Sequence, residues 1–175
     1  MKPVLLAALA AASVANASMA SAGEIFGGLY KHDVNLPTNK SGNVEGGMDV
    51  QLGWRGGKID GTPLQPYVFG AVNTSGDTSY AAVGLSAKFG GAVYVRPGLG
   101  LAVHTGSATK YNIPGNDKIE FGSRVLFEPE LAVGVQVAPR TSVEASWVHM
   151  SHATLFSGRN PGIDNLGVRV SLALP

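Results

Sequence analysis

The chain has 175 residues, of which 24 are glycine, none is cysteine, 45% are hydrophobic and only 14% are charged. Thirteen basic against twelve acidic residues leave a net charge of +1, so nothing in the balance points to nucleic acid. The missing cysteines exclude disulfides, thiolate metal sites and a cysteine nucleophile. So little charge, against the roughly 25% usual in soluble domains, suits a β-barrel in lipid better than a cytosolic enzyme.

The first 22 residues carry the marks of an export signal. Lys2 is followed by the apolar stretch Val4 to Ala12, and Ala20-Ser21-Ala22 offers a small-residue cleavage site. The expected layout is therefore a signal peptide over 1–22 and a single outer-membrane β-barrel domain over 23–175. Beyond the signal no apolar run approaches the 18 or so residues of a spanning helix. Mean hydropathy is nevertheless positive, at +0.13. A soluble exported β-domain and an outer-membrane barrel both remain open at this point.

Along the mature chain the dominant period is two. From Val44 to Arg55 the even positions are apolar or glycine and the odd ones polar or glycine, the pattern of a strand with one oily face. The same reading predicts strands near 24–34, 44–56, 64–74, 78–89, 92–105, 120–137, 141–152 and 165–174. Eight is an even number, and several strands are long enough to cross a membrane at a tilt. Long connections rich in Gly, Asn, Pro and Ser (35–43, 106–119, 153–164) alternate with tighter turns such as Gly90-Gly91 and Ala138-Pro139-Arg140. That alternation predicts an all-β, eight-stranded antiparallel transmembrane barrel with both termini on the short-turn, periplasmic side. The last residues, Leu172-Ala173-Leu174-Pro175, lack the terminal aromatic found in many such barrels.

The polar strand faces carry Asp49, Arg55, Arg124, Glu128, Glu144 and Arg169, which predicts a packed, ion-paired lumen with no open channel. His32 and His104 have no metal-ligand spacing around them and read as interior or interface residues. Trp54, Trp147 and the tyrosines read as interfacial or lipid-facing anchors.

The seventh predicted strand carries the candidate chemistry. Its odd positions are Val143, Ala145, Trp147, His149 and Ser151, so a lipid-facing stripe ends in two polar residues at i and i+2. Unpaired polar groups facing hydrocarbon are costly. In the last strand the apolar face Leu166, Val168, Val170, Leu172 extends backwards by parity to Asp164. The two strands form a hairpin, so Asp164 projects onto the outward face that holds His149 and Ser151. An acid that orients a base, and a base that activates a hydroxyl, make a nucleophilic triad. Its expected level is the outer leaflet, where lipopolysaccharide is the main lipid and the scissile bond would be an ester.

His149-Met150-Ser151-His152-Ala153, followed by Asn160-Pro161-Gly162-Ile163-Asp164-Asn165-Leu166-Gly167-Val168-Arg169, resembles the C-terminal signature of PagL-type lipid A 3-O-deacylases. The resemblance is specific over roughly 149–170. It implies an eight-stranded outer-membrane serine esterase with His149 as base, Ser151 as nucleophile and Asp164 as acid. The best-known members have glutamate as the acid, and Asn then Ala-Gly after the serine, with the Asn and Gly implicated in the oxyanion hole. Here His152, Ala153, Thr154 and Asn160 are the candidate oxyanion or supporting residues. The resemblance implies lipid A as substrate and no metal or organic cofactor, and it leaves a homodimer open. The alternative to an enzyme is a non-enzymatic small barrel with a structural or adhesive role.

Overall fold

The computed structural model describes residues 23–38, 44–111, 113–155 and 161–175. The predicted signal over 1–22 and the candidate Asn160 lie outside the described residues. The strands are β1 (Glu24–Lys31), β2 (Met48–Arg55), β3 (Leu64–Asn73), β4 (Tyr80–Ala87), β5 (Phe89–Gly90), β6 (Val93–His104), β7 (Val125–Ala138), β8 (Thr141–Ser151) and β9 (Gly162–Ala173). The two residues of β5 continue β4 in the same register against β6, since Ser86 pairs with Gly98 and Phe89 with Val95. Pro97 lies opposite the interruption and has no N–H to give to the ladder. All neighbours are antiparallel, in the order β4-β3-β2-β1-β9-β8-β7-β6, and the pairing of β4 with β6 closes the wall into an eight-stranded barrel.

Connections alternate between the two ends as expected, but several predicted strands begin or end elsewhere. β1 stops at Lys31 and β2 starts at Met48, because the described residues between them, 32–38 and 44–47, leave the wall and gather at the mouth. β7 starts at Val125, and residues 119–121 plug the mouth instead: Ile119 and Phe121 are buried there. Arg124 consequently stays out of the lumen and donates to the carbonyls of His104 and Gly106, both at 2.7 Å.

The period of two sorts the side chains between wall and lumen. Outward positions such as Leu29, Val50, Leu52, Leu99, Val133 and Val168 are 49–70% exposed. An apolar girdle this continuous would be insoluble in water and belongs in hydrocarbon. Inward, Arg169 bonds Glu144 at 2.6 Å and Glu130 at 2.9 Å, and Arg96 meets Glu144 at 3.1 Å. Arg55 joins the same net through Glu24 and Glu130. Three guanidinium groups face the carboxylates of Glu24, Glu130 and Glu144, so a network buried except at Glu24 stays near neutral. Of these, Glu24, Arg96 and Glu130 were not foreseen from the sequence.

The tyrosines depart from expectation. Tyr30, Tyr67, Tyr80 and Tyr94 are buried and inward, and only Tyr111 is strongly exposed. Each buried ring fills lumen volume while its hydroxyl finds a polar partner, as Tyr94 does on Glu144 at 2.9 Å. The glycine excess has the same cause. Gly53 lies against Phe26 and Phe69, and Gly134 against Tyr94, where a Cβ would collide with the ring.

The long-connection end is tied together at His32, which is completely buried. Its Nδ1 is 2.9 Å from Asp49 and its Nε2 is 3.2 Å from Glu45. Glu45 also accepts the amides of Thr78 at 3.0 Å and Ile119 at 3.2 Å, so one carboxylate ties three connections. Burial opposes a charge on His32, but the hydrogen bonds and charges of Asp49 and Glu45 outweigh it and raise its pKa to about 9. The folded value exceeds the ordinary 6.5, so this stabilisation is complete below that pH and is lost as pH rises through 9. The urea midpoint of the wild type is therefore expected to fall between about pH 7 and 10, and His32→Gln is expected to lack that part of the fall.

Candidate active site

Outward polar residues are rare in this wall. Among the described strands they are Lys31, Thr141, His149, Ser151 and Asp164, and the last three share one corner. Register explains the convergence. His149 on β8 is paired directly with Asp164 on β9, and Ser151 with Gly162. β9 begins three residues earlier than expected, so Asp164 is a strand residue held by its ladder rather than a loop residue. On the other side of β8, Phe127 of β7 pairs with Ser151, and the same register brings Pro129 opposite His149.

Asp164 is completely buried and its carboxylate is fully engaged. Oδ1 accepts from His149 Nδ1 at 2.9 Å and from Trp147 Nε1 at 2.7 Å. Oδ2 accepts from the Thr38 hydroxyl at 2.7 Å. A carboxylate beside Nδ1 selects the tautomer with its proton on Nδ1, which leaves the Nε2 lone pair unprotonated. The Trp147 indole stacks on the imidazole, with centroids 5.9 Å apart and planes at 22°. Trp147 thus sits in the site, where the sequence suggested only a lipid anchor.

Gly162 sets where the other edge of the ring can lie. A Cβ built on Gly162 would come within 2.7 Å of His149 Cε1 and 3.2 Å of Nε2. The imidazole edge that carries Nε2 therefore rests over Gly162, the register partner of Ser151. His149 and Ser151 are 8% and 7% exposed, so each keeps a small outward-facing surface. Among the described residues no hydrogen bond joins them; residues at i and i+2 of one strand face lie about 6.5–7 Å apart at Cα, which puts both side chains over the same patch of the wall.

The segment after Ser151 makes a tight turn. The Leu155 amide bonds the His152 carbonyl at 3.0 Å, and the two central residues, Ala153 and Thr154, have φ of 52° and 62°. Two positive φ values in succession are those of a type I′ turn, which Gly or Asn usually occupies. A β-branched Thr154 in that conformation is strained. His152 is completely buried, whereas Ala153 and Thr154 are exposed. Among the described residues no three or more His, Cys, Asp or Glu side chains are grouped to hold a metal ion.

Two contributors could not be read from the sequence. Thr38 lies 126 positions from Asp164 and no local pattern links them. The Trp147 N–H was hidden because its outward parity fits an anchor equally well.

The family described as lipid A 3-O-deacylase (PagL) matches residues 28–173. The solved structure titled "Crystal structure of the outer membrane enzyme PagL" superposes with a TM-score of 0.60 at 19% identity, covering 86% of this chain and 99% of that one. A structure from "De novo design of transmembrane beta-barrels" superposes with a TM-score of 0.54 at 9% identity, covering 88% and 97%. At those identities the superpositions speak to the barrel fold alone. No curated protein sequence matches the chain.

Proposed function

The chain belongs to the lipid A 3-O-deacylase (PagL) family of outer-membrane ester hydrolases, and on that premise we propose that Ser151, His149 and Asp164 cleave the 3-O-linked acyl ester of lipid A as a triad. What supports this most is the 2.9 Å contact of His149 Nδ1 with a buried Asp164 on an otherwise apolar outward face. A desolvated imidazole–carboxylate pair is costly on the lipid-facing side of a wall, and apolar side chains would serve a purely structural role there better.

Asp164 keeps the Nδ1 proton in place and balances the imidazolium that forms when Nε2 takes the Ser151 proton. Oγ then attacks the ester carbonyl. The tetrahedral intermediate collapses, His149 protonates the departing sugar oxygen, and the acyl chain stays on Ser151. Water, deprotonated by His149, attacks the acyl-enzyme and releases the fatty acid. The amides of Ala153 and Thr154, in the turn directly after Ser151, are the proposed oxyanion donors; no hydrogen bond among the described residues engages them. His152 then supports that turn through its carbonyl.

In this reading residues 1–22 are a signal removed on export, and the long connections face the cell exterior. Ser151 lies at the outer leaflet, and the acyl chain reaches it from within the membrane. Lys31 supports an anionic lipid as substrate. It is the one cation on the outward face of the described strands, and Leu166 pairs with both Lys31 and Trp147. Purified barrel in detergent, treated with a long-chain alkyl fluorophosphonate, is expected to gain a single adduct on the peptide containing Ser151. Ser151→Ala and His149→Gln are expected to gain none. Wild-type protein that deacylates lipid A yet is never labelled would sink the nucleophile assignment.

A further inference from the structure

We propose that Trp147 and Thr38 are positioning residues that clamp the Asp164 carboxylate in the plane His149 needs. The inference rests on reading His149 and Asp164 as base and acid.

Aspartate is one methylene shorter than the glutamate of the best-known family members. Its carboxylate therefore has fewer torsions to adjust, and it stays close to its own backbone. It reaches His149 because the two residues are register partners. Register places the carboxylate beside the ring but does not set its rotation. Two further donors do that. Trp147 Nε1 shares Oδ1 with His149 Nδ1, at 2.7 Å and 2.9 Å, while Thr38 Oγ1 holds Oδ2 at 2.7 Å. With both oxygens engaged, rotation of the carboxylate breaks at least one charge-assisted bond.

The two donors come from different parts of the fold, and each is itself fixed. Trp147 precedes His149 by two on the same strand face, and its ring stacks on the imidazole. One side chain thus orients both members of the pair. Thr38 belongs to the connection after β1, which is pinned beside β9. The Val34 amide bonds the Asp164 carbonyl at 2.7 Å, and the Asp33 amide bonds the Asn165 side chain at 3.0 Å. Asp164 is completely buried, so no bulk water replaces a lost donor.

The test is a set of cycles read as kcat and KM on lipopolysaccharide, with heat-modifiable gel migration reporting the folded barrel. Trp147→Phe keeps the stacked ring and removes the N–H; it is expected to lower kcat about tenfold with KM unchanged. Thr38→Val is expected to do the same, and Thr38→Ser to restore wild-type kcat. The signature of action through the acid is non-additivity: in an Asp164→Ala background, adding Trp147→Phe or Thr38→Val is expected to change kcat less than about twofold. Full additional losses in that background, or wild-type kcat in both single variants, would overturn the clamp. Neither result touches the triad, whose failure shows separately as undiminished activity in His149→Gln or Asp164→Ala.

Discussion

His149→Gln is expected to lower kcat for lipid A deacylation by about 10⁴-fold or more, with the barrel folded and KM nearly unchanged. Glutamine retains a side-chain amide that can donate to Asp164, so the buried carboxylate keeps a partner and the wall keeps its packing. What disappears is the Nε2 lone pair. Without it the Ser151 proton has no acceptor on the outward face, since the only other charged groups there among the described strands are Asp164, already occupied by three donors, and the cation Lys31. The sugar oxygen likewise has no acid to protonate it as it leaves. Steady-state release of fatty acid from lipopolysaccharide in detergent, normalised to folded barrel, checks this. A loss of only a few-fold would mean that His149 is not the base.

Gly162→Val is expected to be the most damaging change at a residue with no reactive group, lowering kcat by about 10²–10³-fold. Gly162 is a strand residue without positive φ, so its backbone accepts a side chain; the obstacle is the imidazole. A Cβ there lies 2.7 Å from Cε1, 3.2 Å from Nε2 and 3.2 Å from the Met150 carbonyl. The carbonyl belongs to the wall and cannot move, so the ring must leave its place beneath the stacked Trp147. Displacement of a base by about 1 Å is enough to cost two orders of magnitude. Gly162→Ala is expected to fall between wild type and valine, because a single methyl needs a smaller shift. The graded series, measured as kcat alongside gel migration, separates this from simple misfolding.

The barrel was legible because its physics is written locally. A period of two sorts residues between lumen and lipid without knowledge of any partner strand, and the long and short connections reveal which ends are which. Ser151, His149 and Asp164 could be gathered for the same reason: a hairpin is short in sequence, and parity projects both strands onto one face. What parity cannot show is the content of the connections. β1 and β2 stop short because His32 and Glu45 are more valuable at the mouth, tying loops from three places, than they would be in the wall. Arg124 was misplaced for a related reason, as the residues before β7 fold inward with Ile119 and Phe121. The tyrosines were assigned by chemical type to the membrane interface, whereas their strand parity already pointed to the lumen. Thr38 is illegible in principle at one-strand range, because its acceptor lies on β9, the last strand of the chain, which pairs with β1. The turn at 152–155 shows a different limit, since two non-glycine residues adopt the left-handed conformation that composition would assign elsewhere.

The central claim is that a triad on the outward face makes this barrel a lipid A deacylase. Mass spectrometry of lipid A from cells producing either the wild-type chain or Ser151→Ala, at equal levels of folded barrel in the outer membrane, tests it most directly. The wild type is expected to convert lipid A to a species lighter by one 3-O-linked acyl chain, and Ser151→Ala to leave lipid A at full mass. Unchanged lipid A with the wild type, or equal conversion by both proteins, would contradict it.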